Sequence, residues 1–233
     1  MRMCAEDIDF TLVRSDRKTA DIVIERSGYV VVRAPLGIAD EQIRAAVADR
    51  ALWVYRSLAE WEDLNASRRH RPLVQGQGFA YLGRSYRLRF VDESPVPLRL
   101  KNGRWEVSEA FVAREGAAAT RKAFRDFYTA KGEQIFAERV QQLAPLVGVE
   151  PGTVIVKELG YHWASCGVGG ALNFHWKTLM APQSVIDYIV VHELCHLRHR
   201  DHSDAFWNEV DKILPRYRER KDWLRQHGAS LDL

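Results

Sequence analysis

The sequence predicts an α+β fold, strand-rich at the N-terminus and helical toward the C-terminus, and three observations predict it. Apolar residues step by two through the first third, at Ile8, Phe10 and Leu12, at Ile22 and Ile24, and at Val30 and Val32, which is the period of half-buried strands. Later stretches carry the helical period instead, most clearly over residues 117–146. The coarse order is then strands, helix, strands, helix, strands, helix, helix, a mixture of blocks that belongs to the α+β class.

The first three strands are separated by turns at Arg14–Lys18 and Ser27–Gly28, and Pro35 and Gly37 end the third. One helix is expected from Asp40 to Asn65, carried by Ile43, Val47, Leu52, Trp53, Tyr55, Leu58 and Trp61. The basic run Ser67–Arg71 breaks the pattern. It offers a nucleic-acid patch, but a solvated loop is the plainer reading. Strands resume at Phe79–Leu82 and Tyr86–Phe90, joined by Gly83-Arg84-Ser85 as a hairpin connection, with weaker strands near Leu98–Leu100 and Trp105–Val107. A second long helix covers Ala117–Leu146 and stops before Gly148, with Phe124, Phe127, Tyr128, Phe136, Val140 and Leu143 in its stripe. Two short strands follow at Thr153–Leu159 and Ala171–Phe174, and Pro182 opens a third helix where proline is tolerated. The division into domains is expected near Ala110–Gly116, giving a strand-rich region with one long helix over 1–110 and a catalytic domain over 111–233.

A chain of 233 residues holds one large domain or two modest ones, each with a core. Its formal net charge of +3 is too small to argue for nucleic acid by itself. Cys4, Cys166 and Cys195 are odd in number and widely spaced, so they supply no disulfide framework and fit a reducing compartment. The first ten residues contain Glu6, Asp7 and Asp9 and lack the basic and apolar regions of a signal peptide. No run of 18 apolar residues occurs. The expectation is a soluble, cytoplasmic protein that does not engage a membrane.

The chemistry concentrates where the apolar run Val185–Val191 meets His192-Glu193-Leu194-Cys195-His196. Residues four apart lie one turn above each other on one helix face, so His192 and His196 can pinch one metal ion. Glu193 is offset by about 100° around the axis. It is thus aimed beside the ion, where a water would sit. Zinc lowers the pKa of its water to about 7, and a carboxylate within reach takes the proton. A glutamate and two histidines on an apolar helix are costly to bury without such a partner.

An open zinc site needs a third protein ligand, and His199, His202 and Glu209 are the candidates. His199 follows the line of the first pair and cannot help surround an ion. His202 lies nearly opposite on an unbroken helix. It reaches the metal only if the helix breaks between His199 and His202 and the chain turns back. Asp201 tolerates left-handed backbone, and Ser203 can cap a new helix from Asp204. The H-E-x-x-H-x5-H spacing coincides with that of metzincins, but His199 replaces their glycine and no methionine follows the helix.

The run Val185–Leu197, with His202-Ser203 and Phe206-Trp207 behind it, resembles the YgjP-like metallopeptidases, bacterial relatives of the SprT-like zinc proteases. The resemblance extends to His162-Trp163-Ala164-Ser165-Cys166, Ala171-Leu172-Asn173 and Tyr81–Leu88. It implies a zincin-like metallopeptidase domain, one zinc ion held by His192, His196 and His202, and Glu193 as the catalytic residue. The family usually shows Arg-Trp-Gly-Ser-Cys where this chain has His162 and Ala164. Cys166 and Cys195 read best as small buried hydrophobes.

The function expected is a zinc-dependent metallopeptidase that hydrolyses peptide bonds in a peptide or protein substrate, with Glu193 activating a zinc-bound water. One alternative is a zinc hydrolase of a non-peptide amide. Another is a nucleic-acid-associated module with a structural zinc, supported by Arg216, Arg218, Arg220, Lys221 and Arg225. Glu219 and Asp222 interrupt that basic set, and a structural zinc needs no base.

Overall fold

The alternating stretches of the first third do fold as strands, and the helical stripes as helices, so the expected α+β class is the one observed. A computed structural model describes residues 1–5, 7–25, 28–66, 71–160 and 162–233, and of 64–66 only the backbone. The basic run Ser67–Arg71 therefore lies outside the described residues except for Arg71. Two compact units are present, Met1–Arg69 and His70–Leu233.

In the first unit, β1 (Arg2–Ala5), β2 (Ile8–Ser15), β3 (Asp21–Ile24) and β4 (Val30–Pro35) form one sheet in the order β1-β2-β4-β3. The central pair β2–β4 is parallel and the outer pairs are antiparallel. Ile8, Phe10, Leu12, Val30 and Val32 face Ile43, Val47 and Val54 in its core. The single helix expected over 40–65 is two, α1 (Asp40–Ala48) and α2 (Ala51–Ala66). Arg50 N–H turns back to the Val47 carbonyl, three residues behind, and tightens the chain between them. β1 went unread because only Met3 and Ala5 of its four residues are buried, too few for a periodic signal.

The second unit opens with β5 (Gly78–Tyr81), β6 (Arg84–Val91), β7 (Leu98–Lys101) and β8 (Arg104–Ser108), in the order β5-β6-β8-β7. Both hairpins turn on two residues at positive φ, Leu82-Gly83 and Asn102-Gly103, the backbone that matches strand twist. The first connection is thus Leu82-Gly83 rather than Gly83–Ser85. Only glycine fits its second position: φ is +77°, and a Cβ would stand 2.8 Å from Pro182 Cα.

Helix α3 (Glu109–Val147) is kinked at Gly116, whose φ of 79° and ψ of −178° interrupt it, and Gly148 closes it in the left-handed region. Phe124, Tyr128 and Phe136 are fully buried. The Trp105 indole donates to the Phe79 carbonyl at 3.0 Å, and the Tyr128 hydroxyl to that of Ala80 at 2.5 Å. β5–β8 and α3 therefore share one core. This is why the units part at Arg69–His70 and not near Ala110–Gly116. Arg71 belongs to that interior, its guanidinium donating to the carbonyls of Gly78 and Ser230.

Beyond α3 lies a small sheet of β9 (Val154–Lys157), β10 (Ala164–Cys166) and β11 (Leu172–His175), in the order β10-β11-β9. Phe174 stacks on Phe136 at 4.1 Å, and a Cβ on Gly132 would stand 3.1 Å from Val156. α3 thus backs this sheet closely. The chain ends with α4 (Gln183–Cys195), α5 (Asp204–Ile213) and α6 (Tyr217–His227). Among the described residues, no helix is long and apolar enough to cross a membrane.

Candidate metal centre

Helix α4 is the buried element around which the site is built. Pro182 stands at its N-cap with the extended backbone proline favours. Val185, Ile186, Ile189, Val190, Val191 and Leu194 are buried. The β5–β6 hairpin tip holds its approach, with Leu82 N–H on the Leu179 carbonyl at 2.7 Å and Gly83 N–H on that of Met180 at 3.3 Å. Asp187 accepts from Arg139 of α3 at 2.8 Å. The helix stops at Cys195, earlier than the break expected between His199 and His202. Residues 196–199 continue in a tight turn, with Leu197 and Arg198 N–H bonding carbonyls three residues back.

The reversal itself uses the side chain of Asp201, not its backbone. No positive φ occurs there. Asp201 Oδ1 instead accepts from Ser203 N–H at 3.3 Å, and the Ser203 hydroxyl also bonds this carboxylate. Ser203 sits at the N-cap of α5 without capping it through its side chain. The turn brings His202 back beside the first two histidines, stacked on Trp207 at 5.6 Å.

The result is a group of three imidazoles, His192, His196 and His202, whose ligand atoms lie within 4.8 Å of one another. Nε2 of His192 is 3.2 Å from Nε2 of His196 and 3.1 Å from Nε2 of His202. Donors placed about 2.0–2.1 Å from an ion in a tetrahedral array stand about 3.3 Å apart. His196 Nδ1 lies 2.9 Å from the His199 carbonyl. A carbonyl only accepts, so Nδ1 carries the proton and Nε2 keeps a lone pair for a metal. Burial, reinforced by positive charge on His196, His202 and Lys221, depresses the His192 pKa to about 3. His202 is also lowered, chiefly by burial. Three imidazoles that converge through ring nitrogens, two of them disfavoured as cations by burial, fit a divalent cation.

The other two candidates are not in this group. His199 contributes its backbone carbonyl to His196. Glu209 is engaged by Arg198 at 3.1 Å and Lys212 at 3.2 Å.

Glu193 is 6% exposed. Burial raises its carboxyl to about 8, opposed by a hydrogen bond from the Cys166 backbone. A cation among the imidazoles acts in the same direction as that N–H and favours the carboxylate. Sequence reasoning missed this contact and β10, which supplies it; the quoted run through Cys166 was the only signal there. Glu193 also lines a cavity of about 260 Å³ with His192, Trp163, Tyr188, Ile189 and Leu224, and exposed His162 borders it. Cys166 is partly exposed, whereas Cys195 is buried as expected.

A buried helix presenting two histidines and a glutamate, with a third histidine returned to them, defines a metal-dependent hydrolase. The family model described as YgjP-like, metallopeptidase domain, matches residues 18–227. The chain belongs to this family, and is a metallopeptidase that acts on peptide bonds through a metal ion. A solved structure, the metallopeptidase zymogen of Pyrococcus abyssi abylysin, is 26% identical. It covers 38% of this chain and 90% of its own, with a TM-score of 0.36. No curated protein gives a match.

Proposed function

We propose that this protein is a zinc peptidase in which His192, His196 and His202 hold one zinc ion and Glu193 is the general base. The observation that carries the reading is the convergence of three imidazole nitrogens beside a buried carboxyl. All-nitrogen ligands suit zinc better than magnesium or calcium, and three of them leave a position open. When bound, zinc supplies Lewis acidity to a water and to the scissile carbonyl. Glu193 then takes the proton of the attacking water on a carboxylate oxygen and hands it to the leaving nitrogen. Cys166 N–H orients that carboxylate, and the apolar walls around it exclude bulk water.

The edge position of β10 favours a peptide over a non-peptide amide. An extended chain can pair with an open strand edge and so lie beside Glu193. A nucleic-acid module has less behind it: Arg216 pairs with Glu219 and Arg218 with Asp211, a solvated helix face of mixed charge. Cys4, Cys166 and Cys195 form no disulfide among the described residues, which suits a reducing, cytoplasmic setting.

The test is a mixed peptide library treated with zinc-loaded protein and with Glu193→Gln, cleavage being read by mass spectrometry and zinc by elemental analysis. The expected result is about one zinc per chain in both and a cleavage rate about 10²- to 10⁴-fold lower in the variant. Equal rates would remove Glu193 as the base.

A further inference from the structure

We infer that the first unit, Met1–Arg69, carries a binding site for a polypeptide C-terminus: the open edge of β3 pairs with the chain, the cavity between the sheet and α1–α2 takes its apolar last side chain, and Arg50 holds its carboxylate. The inference goes beyond the peptidase reading and draws on no residue of the metal centre.

The cavity measures about 620 Å³, within the roughly 300–1,000 Å³ of sites that hold a ligand. Folded interiors leave few voids larger than a water, so a hollow of this size is a gap in the packing that a partner can fill. Ile22, Val32, Ile38, Ile43, Val47 and Trp53 line it, and Trp53 is left 47% exposed. An apolar group that enters takes hydrocarbon out of water on both sides of the contact.

The strand beside the cavity is open. β3 ends the sheet order β1-β2-β4-β3, so among the described residues no strand pairs with its outer side. Glu25 N–H bonds the Tyr29 carbonyl at 2.8 Å, and the register sets Ile24 opposite Val30 and Ile22 opposite Val32. Ladder bonds alternate along an antiparallel pair. Residues 21, 23 and 25 therefore bond toward β4, and the N–H and C=O groups of Ile22 and Ile24 point outward. Edge strands are commonly guarded by charge or proline, and Ile22-Val23-Ile24 has neither. A residue bonded to Ile22 on that edge puts its side chain on the same face as Ile22, which is the face that lines the cavity.

Charge selects the end of a chain. Arg50 lines the same cavity, is exposed, and makes no ion pair among the described residues. The carboxylate on the lining, Asp21, has both oxygens on Arg17, at 2.8 and 3.0 Å, and does not compensate Arg50. The cavity thus offers an uncompensated guanidinium next to hydrocarbon. In an extended chain adjacent side chains point to opposite faces, so an acidic neighbour of the apolar residue would face away from Arg50. A terminal carboxylate belongs to the apolar residue itself and can meet the guanidinium. A fatty acid would satisfy the cavity and Arg50 but leave the β3 edge unused.

The probe is an acetylated hexapeptide ending in Val-Ile-Leu, as the free acid and as the C-terminal amide, added to isotope-labelled, full-length Glu193→Gln protein. The backbone amide signals of Ile22 and Ile24 and the methyl signals of Val32 and Ile43 should move together. The acid should bind at least about 10-fold more tightly than the amide, the difference that a hydrogen bond to a charged group makes. Adding Arg50→Gln should erase that difference and leave binding of the amide unchanged. Adding Ala46→Trp, which fills the cavity from an exposed position on α1, should remove binding of both. The first two readings do not depend on these added substitutions folding. Equal affinity for acid and amide would overturn the proposal. So would dodecanoate and the peptide moving the methyl signals alike while the Ile22 and Ile24 amides stay still, which would assign the cavity to an acyl chain. No shift in any of these signals at millimolar peptide would also overturn it.

Discussion

His202→Ala separates the proposed third ligand from its rivals. Four-ligand zinc sites bind with about 10–16 kcal/mol at neutral pH, which is about 2.5–4 kcal/mol per ligand. His202 is held ready by the Asp201–Ser203 turn and by stacking on Trp207, so little of its share is spent on ordering. Water can fill the place of this exposed side chain and recover part of the loss. The net expectation is about 3 kcal/mol, or roughly 10²-fold weaker zinc binding. His199→Ala keeps the backbone carbonyl that fixes His196, and should change affinity less than about threefold. Glu209→Ala should also leave affinity nearly unchanged, because its carboxylate is committed to Arg198 and Lys212. The assay is competitive zinc titration against a chromophoric chelator, with circular dichroism as the check on folding. Unchanged affinity in His202→Ala, with Glu209→Ala weakened, would refute the assignment.

Two further outcomes are expected. Gly83→Ala forces a side chain into a left-handed position and against Pro182, at a cost of about 2–4 kcal/mol; thermal melts should fall by roughly 2–4 °C for each kcal/mol, and an unchanged melt would show that the hairpin tip yields. In metal-free protein, His192 has a folded pKa of about 3 against an ordinary value of about 6.5. The unfolded chain therefore binds the extra proton first, and stability should drop as pH falls from about 6.5 toward 3, by about 1.4 kcal/mol per unit. Urea titrations of apo wild type and His192→Gln should differ by that slope; parallel curves would exclude it.

What could be read in the sequence is what local spacing controls. His192, Glu193 and His196 share one helical turn, and the stripe of α3 and its stop at Gly148 follow from periodicity and one glycine. The need for a chain reversal before His202 was legible from the angle between positions, but its means were not. Asp201 achieves it with a side-chain bond to Ser203, one of several ways such a residue can turn a chain. The end of α4 at Cys195 was hidden because the residues after it, Leu197 to Arg200, are ordinary helix formers. The unit boundary was misplaced for a different reason. Strands β5–β8 look like a continuation of the N-terminal strands, and only the packing of Phe79 and Trp105 on Phe124 assigns them to the second core.

The two halves of the site differ in how much of the fold they require. The three imidazoles come from one stretch, His192 to His202, closed by short-range contacts of His196 with His199 and of Asp201 with Ser203. Metal affinity at the proposed site should therefore be largely a local property, set by one helix end and the turn after it. The proposed base is different. Glu193 takes its orientation from β10, which is held by β11, which pairs with β9, which lies against α3. An error of a few tenths of an ångström anywhere along that series moves Cys166 N–H relative to the carboxylate without moving the imidazoles relative to one another. On the proposed mechanism, changes to the side chains that fix the series, such as Phe136 on Phe174, should act on catalysis through Glu193 and leave the arrangement of the three imidazoles unchanged.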